Sequence, residues 1–154
     1  MNRPAKGTRI LIAEDFEVIR RGIRSVIEGR PQWTVCGEAR TGAETIEKTR
    51  VLRPDLLLLD VTMPDMEATK AIQQIIEIYP PVKIVALATQ ESAELGANAL
   101  AAGASGLALK SDAAAELVLT VERISTGRPF FSPGAVTMIP PGYAGLKPLW
   151  ASAR

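Results

Sequence analysis

Short apolar runs, each ending in a charged residue, recur along the chain. Arg9-Ile10-Leu11-Ile12-Ala13 runs into Glu14-Asp15, Asp55-Leu56-Leu57-Leu58-Leu59 into Asp60, and Ser105-Gly106-Leu107-Ala108-Leu109 into Lys110. Apolar runs of this length, bounded by turn residues, mark strands of a parallel sheet buried on both faces, whose ligand sites lie beyond the strand carboxyl ends. Helical spacing fills the intervals. From Glu17 to Glu28, Val18, Ile19, Ile23, Val26 and Ile27 recur with helical period, and Gly29 with Pro31 supplies the stop. Gln32 to Glu38 reads as a second, less buried strand, and Thr41-Gly42-Ala43-Glu44 opens a helix to about Leu52 with a capping-box pattern. A helix from about Glu67 to Tyr79 ends at Pro80-Pro81, and Val82 to Leu87 forms the fourth strand. Ser92 to Ala102 is an alanine-rich helix closed by Gly103, and Ser111 or Asp112 caps a last helix ending near Gly127. Five strand and helix pairs in strict alternation specify an α/β sandwich of three layers.

Beyond Gly127 the pattern breaks. Pro129, Pro133, Pro140, Pro141 and Pro148 preclude a helix of useful length. The expected organisation is one domain over residues 8–127 and a proline-rich, extended or disordered tail over residues 128–154. Phe130, Phe131, Tyr143 and Trp150 make that tail stickier than a solvated linker.

Composition narrows the chemistry. Among 154 residues, 18 Lys and Arg face 17 Asp and Glu, which argues against a broad nucleic-acid or membrane-binding surface. The lone Cys36 forms no internal disulfide, and the absence of histidine removes the usual hydrolytic triads and most zinc sites. The first apolar run is too short for a signal peptide or a membrane span, so a cytoplasmic location is expected.

If Glu14, Asp15 and Asp60 meet above the sheet, three carboxylates cannot all stay ionised without a counter-charge. Oxygen-only ligands favour magnesium as that charge. Lys110 arrives at the same edge as a mobile cation, and the two together prepare a place for a phosphoryl group. Asp60 ends the most buried strand and is the expected acceptor. Taken singly, each acid is better explained as a turn or helix cap. Four residues of matching chemistry at the ends of three strands favour a site.

These segments, together with Pro54-Asp55 before the third strand, Val61-Thr62-Met63-Pro64 after Asp60, Ala102-Gly103-Ala104-Ser105-Gly106 and Leu109-Lys110-Ser111, resemble the receiver domain of two-component response regulators. The likeness covers about three quarters of the chain and is nearest to the branch that usually carries a LuxR-type helix-turn-helix. It implies a flavodoxin-like sandwich with a five-stranded parallel sheet of order 2-1-3-4-5. Asp60 is then the phosphoacceptor, Glu14, Asp15, Asp60 and the Thr62 carbonyl hold magnesium, and Lys110 contacts the phosphoryl group. The implied phosphoryl donors are a histidine kinase, a histidine phosphotransfer protein or small phosphodonors. The chain is expected not to be an enzyme.

Three positions depart from that family. Ala88 stands where a serine or threonine switch hydroxyl belongs, so one hydrogen bond specific to the phosphorylated state is missing. Thr89 follows it, but consecutive strand residues face opposite sides, and only a bulge would let its hydroxyl substitute. Leu107 replaces the coupling aromatic, and Ala68 a frequent glycine. Two readings stay open: a stand-alone phosphate-accepting receiver acting on an output protein, and a phosphorylation-independent interaction module. No helix-turn-helix pattern follows Gly127, so DNA binding is not expected; self-association into a homodimer is compatible with either reading.

Overall fold

The structure is a computed structural model that describes residues 7–136. Its strands are β1 (Thr8–Ala13), β2 (Trp33–Ala39), β3 (Leu56–Asp60), β4 (Lys83–Ala88), β5 (Gly106–Leu109) and β6 (Phe130–Phe131). Its helices are α1 (Glu17–Glu28), α2 (Gly42–Leu52), α3 (Ala68–Ile78), α4 (Ala93–Ala101), α5 (Ala114–Ser125) and the short α6 (Pro133–Val136). All neighbouring strands pair in parallel, in the order β2-β1-β3-β4-β5-β6. The flavodoxin-like architecture expected from the sequence is present, with one strand more than the five anticipated.

Period-two alternation in the strands divides the core into two layers. Leu57 and Leu59 pack with Ile72 and Ile75 of α3 and Leu100 of α4, whereas Leu56 and Leu58 pack with Ile23 and Ile27 of α1 and Val121 of α5. All four leucines of β3 are fully buried. Each such side chain contributes about 1.5–3 kcal/mol relative to exposure, so β3 is the anchor that holds its terminal acid in place. At the end of α4, Gly103 adopts φ +121°, and a Cβ there would stand 2.6 Å from Ile76 Cδ1. The glycine stop read from the sequence is therefore obligatory in this packing.

The sixth strand corrects the expectation for the tail. Through Phe131, Ser132 and Ala135, all buried, the chain after Gly127 packs on the domain, while Arg128, Pro129, Pro133 and Val136 stay exposed. Phe131 pairs in register with Leu107 and is 2% exposed, and the Ser132 N–H donates to the Leu107 carbonyl at 2.9 Å. Burying an aromatic and closing the open edge of β5 outweighs the helix-breaking prolines, which strand pairing at an edge tolerates. Gly106 permits the approach, since a Cβ there would lie 2.1 Å from the Phe130 carbonyl oxygen. The remaining tail features, Pro140, Pro141, Tyr143, Pro148 and Trp150, lie outside the described residues.

The start of α5 also differs from expectation. Its N-cap is Ala113, without a side-chain cap, while Asp112 Oδ2 accepts the Leu109 N–H at 2.9 Å. Because β6 stops at Phe131, that strand-end donor finds no ladder partner, and Asp112 supplies one. Thr41, in contrast, caps α2 as its sequence indicates, accepting the Glu44 N–H at 3.0 Å.

Candidate functional site

Three strand ends converge at one edge of the sheet. β1 delivers Glu14, fully buried, and Asp15, exposed; β3 ends on Asp60, 1% exposed; β5 delivers Lys110. Carboxylate oxygens of Glu14, Asp15 and Asp60 lie within 4.8 Å of one another. Lys110 Nζ stands 2.8 Å from Asp60 Oδ1 and 2.9 Å from Glu14 Oε1. The structure thus brings together all four charged residues singled out in the sequence.

Asp60 is held asymmetrically. Its Oδ1 accepts the Thr62 N–H at 2.8 Å and the Thr62 hydroxyl at 2.6 Å, in addition to the contact with Lys110. Its Oδ2 is buried without a hydrogen-bond partner. Glu14 Oε2 accepts the Phe16 N–H at 3.1 Å, whereas Oε1, although beside the lysine, receives no aligned hydrogen bond. The Asp60 Oδ2 left without any partner in a buried, acid-rich corner is costly, and it matches the demand of a hard, oxygen-preferring cation.

The electrostatics agree. Burial pushes the Glu14 carboxyl up to about 7, against the opposing ion pair with Lys110 and the bond from the Phe16 N–H, and the neighbouring Asp60 charge adds to the rise. For Asp60, burial acts upward too, but the bonds from Lys110 and Thr62 outweigh it and hold this carboxyl below its ordinary range. Burial would lower the Lys110 ammonium; its bonds to Asp60 and Glu14 raise it instead. One acid stays ionised beside the lysine while the other is poised to release its proton near neutrality.

The positions flanking the site are apolar or already engaged. Ala88 is fully buried and pairs regularly with Leu109, so β4 has no bulge at its end. The Thr89 hydroxyl lies 3.0 Å from Ser92 Oγ and accepts the Ser92 N–H at 3.2 Å, which ties it into the turn entering α4. Leu107 is 1% exposed and packs toward Gly96, where a Cβ would come within 3.0 Å of Leu107 Cδ1. The aromatic absent from position 107 has a neighbour in its stead, Phe131 on β6. Ala68 is the first residue of α3.

Three contributions escaped the sequence reading. The Thr62 hydroxyl joins its backbone N–H on Asp60, Phe131 covers β5, and Arg20 reaches the Glu14 carbonyl oxygen at 2.9 Å. Only Arg20 left a legible trace, because its spacing from Ile23 and Ile27 places an arginine on the apolar stripe of α1.

The response regulator receiver domain family matches residues 10–122. The response regulator GacA of Pseudomonas viridiflava is 31% identical over 125 residues, 81% of this chain and 58% of that protein. The transcriptional regulatory protein LnrK of Bacillus subtilis is 34% identical over 119 residues, 77% of this chain and 54% of that protein. The chain therefore spans little more than half the length of these curated relatives. In three dimensions it is similar to a LuxR-family two-component response regulator from Aurantimonas sp. SI85-9A1, with 32% identity and a TM-score of 0.80 over 86% of this chain and 95% of that one. The chain belongs to the response regulator receiver domain family and carries a receiver of two-component signalling. Among the described residues, no helix is long and apolar enough to cross a membrane.

Proposed function

We propose that this receiver accepts a phosphoryl group on Asp60 in a magnesium-dependent reaction. The observation that carries the reading is the state of Asp60, with one oxygen clamped by Thr62 and Lys110 and the other buried without a partner beside Glu14 and Asp15. Glu14, Asp15 and Asp60 would hold the cation with the Thr62 carbonyl, and the oxygen-only donor set and the orphaned Asp60 Oδ2 fit it. Bound there, magnesium neutralises charge on the phosphoryl oxygens.

Asp60 attacks the phosphorus of a phosphohistidine or small acyl phosphate. An O–P bond forms, the bond from phosphorus to the donor nitrogen or oxygen breaks, and the leaving atom keeps its electron pair. Lys110 transfers its ion pair from the Asp60 carboxylate to the phosphoryl oxygens. The natural donor in this proposal is a histidine kinase or histidine phosphotransfer protein, and the recipient of the signal is an output protein.

Incubation with radiolabelled acetyl phosphate and magnesium tests the assignment. Wild-type protein should take up label and Asp60→Asn should take up none. Labelling that survives Asp60→Asn rejects the assignment, and wild-type protein left unlabelled by acetyl phosphate and by its kinase rejects the phosphate-accepting role. The second outcome would favour a phosphorylation-independent interaction module, the reading that Ala88 and Leu107 support.

A further inference from the structure

We propose that Arg20 is a positioning residue that sets the Glu14–Asp15 corner in the geometry needed to bind magnesium, an inference that rests on the proposed function of the acid site. Arg20 is 5% exposed on the inward stripe of α1. A buried guanidinium is retained only where it is paired and hydrogen-bonded. Its Nη1 donates to the Glu14 carbonyl oxygen at 2.9 Å, and its Nε to Glu38 Oε1 on β2 at 3.0 Å. Glu38 is in turn engaged by the Arg24 guanidinium through Oε2 and by the Lys48 ammonium through its carbonyl oxygen. The arginine is therefore anchored at one end of its fork and holds main chain with the other.

Glu14 is fastened on three sides. Its N–H donates to the Ala39 carbonyl at 3.0 Å, its carboxylate accepts the Phe16 N–H, and its carbonyl accepts Arg20. That carbonyl belongs to the peptide plane leading to Asp15, so holding it fixes the direction in which Asp15 leaves β1. Asp15 is exposed, and its placement depends on its main chain more than on packing. Arginine suits the task because its planar fork serves the carbonyl and the carboxylate together, whereas lysine presents a point charge. Groups that orient metal ligands from behind commonly alter affinity about 10–100-fold when removed.

The experiment is magnesium titration calorimetry on the full chain, with urea stability measured on the same samples. Arg20→Gln should weaken magnesium binding about tenfold or more in protein that remains folded, and Arg20→Lys should recover part of the loss. Glu38→Gln, which loosens the anchor without touching Glu14, should weaken binding by a smaller factor. It also decides the matter if Arg20→Gln fails to fold, and unchanged affinity in that variant then overturns the inference. Reduced stability with magnesium affinity within about twofold of wild type would make Arg20 a structural ion pair only and overturn the inference alone. Wild-type protein that binds no magnesium overturns the proposed function, and this inference with it.

Discussion

The two halves of the sheet's carboxyl edge are built for opposite purposes. Around β1 and β3, charge is concentrated: Glu14, Asp15 and Asp60 converge, Thr62 and Lys110 hold Asp60 Oδ1, and the buried Asp60 Oδ2 remains unsatisfied. On the other half, where β4 ends on Ala88 and β6 covers β5, the packed side chains are apolar, and Lys110, which follows β5, turns away to the acids. Ala88, Leu107 and Phe131 form a sealed apolar wall, and the Thr89 hydroxyl is already committed to Ser92. Unsatisfied polar groups are tolerated where a ligand can supply the missing partner, whereas close packing leaves no such opening. One half of the edge is therefore open to a ligand and the other is closed by packing.

Removing the apolar wall should have the largest effect. Phe131→Ala deletes a buried aromatic that covers β5, and a loss of about 3–5 kcal/mol in urea unfolding is expected. Labelling of Asp60 in the folded fraction should persist. A loss under about 1 kcal/mol would show that β6 does not seal this half, and the comparison would break.

The charged half should reveal itself through pH. Because the Glu14 carboxyl is raised to about 7, a proton competes with magnesium below that value and not above it. Magnesium affinity should therefore fall by up to about tenfold for each pH unit below neutrality and level off above it. Calorimetry between pH 5.5 and 8.5, an interval of about 1.5 units on either side of neutrality, checks this. A flat profile would mean that Glu14 does not bear the proton.

Restoring a hydroxyl in the apolar half is the subtlest change. Ala88→Ser adds one donor at the expected switch position, and a hydrogen bond gained only in the phosphorylated state is worth about 0.5–1.5 kcal/mol. Phosphorylation-dependent self-association, followed by sedimentation, should strengthen by a corresponding few-fold. Equal behaviour of the two proteins would place the readout elsewhere than the end of β4.

How much was legible depended on the range of the interactions. The apolar runs of β1, β3 and β5 were visible because a fully buried strand imposes its composition locally, and the residue that follows such a run is thereby placed at the sheet edge. That sufficed to nominate Glu14, Asp15, Asp60 and Lys110 together. The boundary placed at Gly127 was misleading because prolines veto a helix but not a two-residue edge strand, and nothing local to Phe130-Phe131 reveals that β5 has an open edge. Ser111 and Asp112 looked like helix caps because their residue types are common there, yet Asp112 turns back to Leu109.

By itself, then, the sequence determined the alternation of elements, the order in which acids and lysine reach the edge, and the absence of a hydroxyl at Ala88, all properties of residue type and spacing. Tertiary structure alone decided that Thr62 and Lys110 share one oxygen of Asp60, that Arg20 holds the Glu14 carbonyl, that Thr89 is spent on Ser92, and that Phe131 stands beside Leu107. Hydrogen bonds and close packing are settled within a few ångströms between segments distant in the chain, a precision that periodicity does not carry.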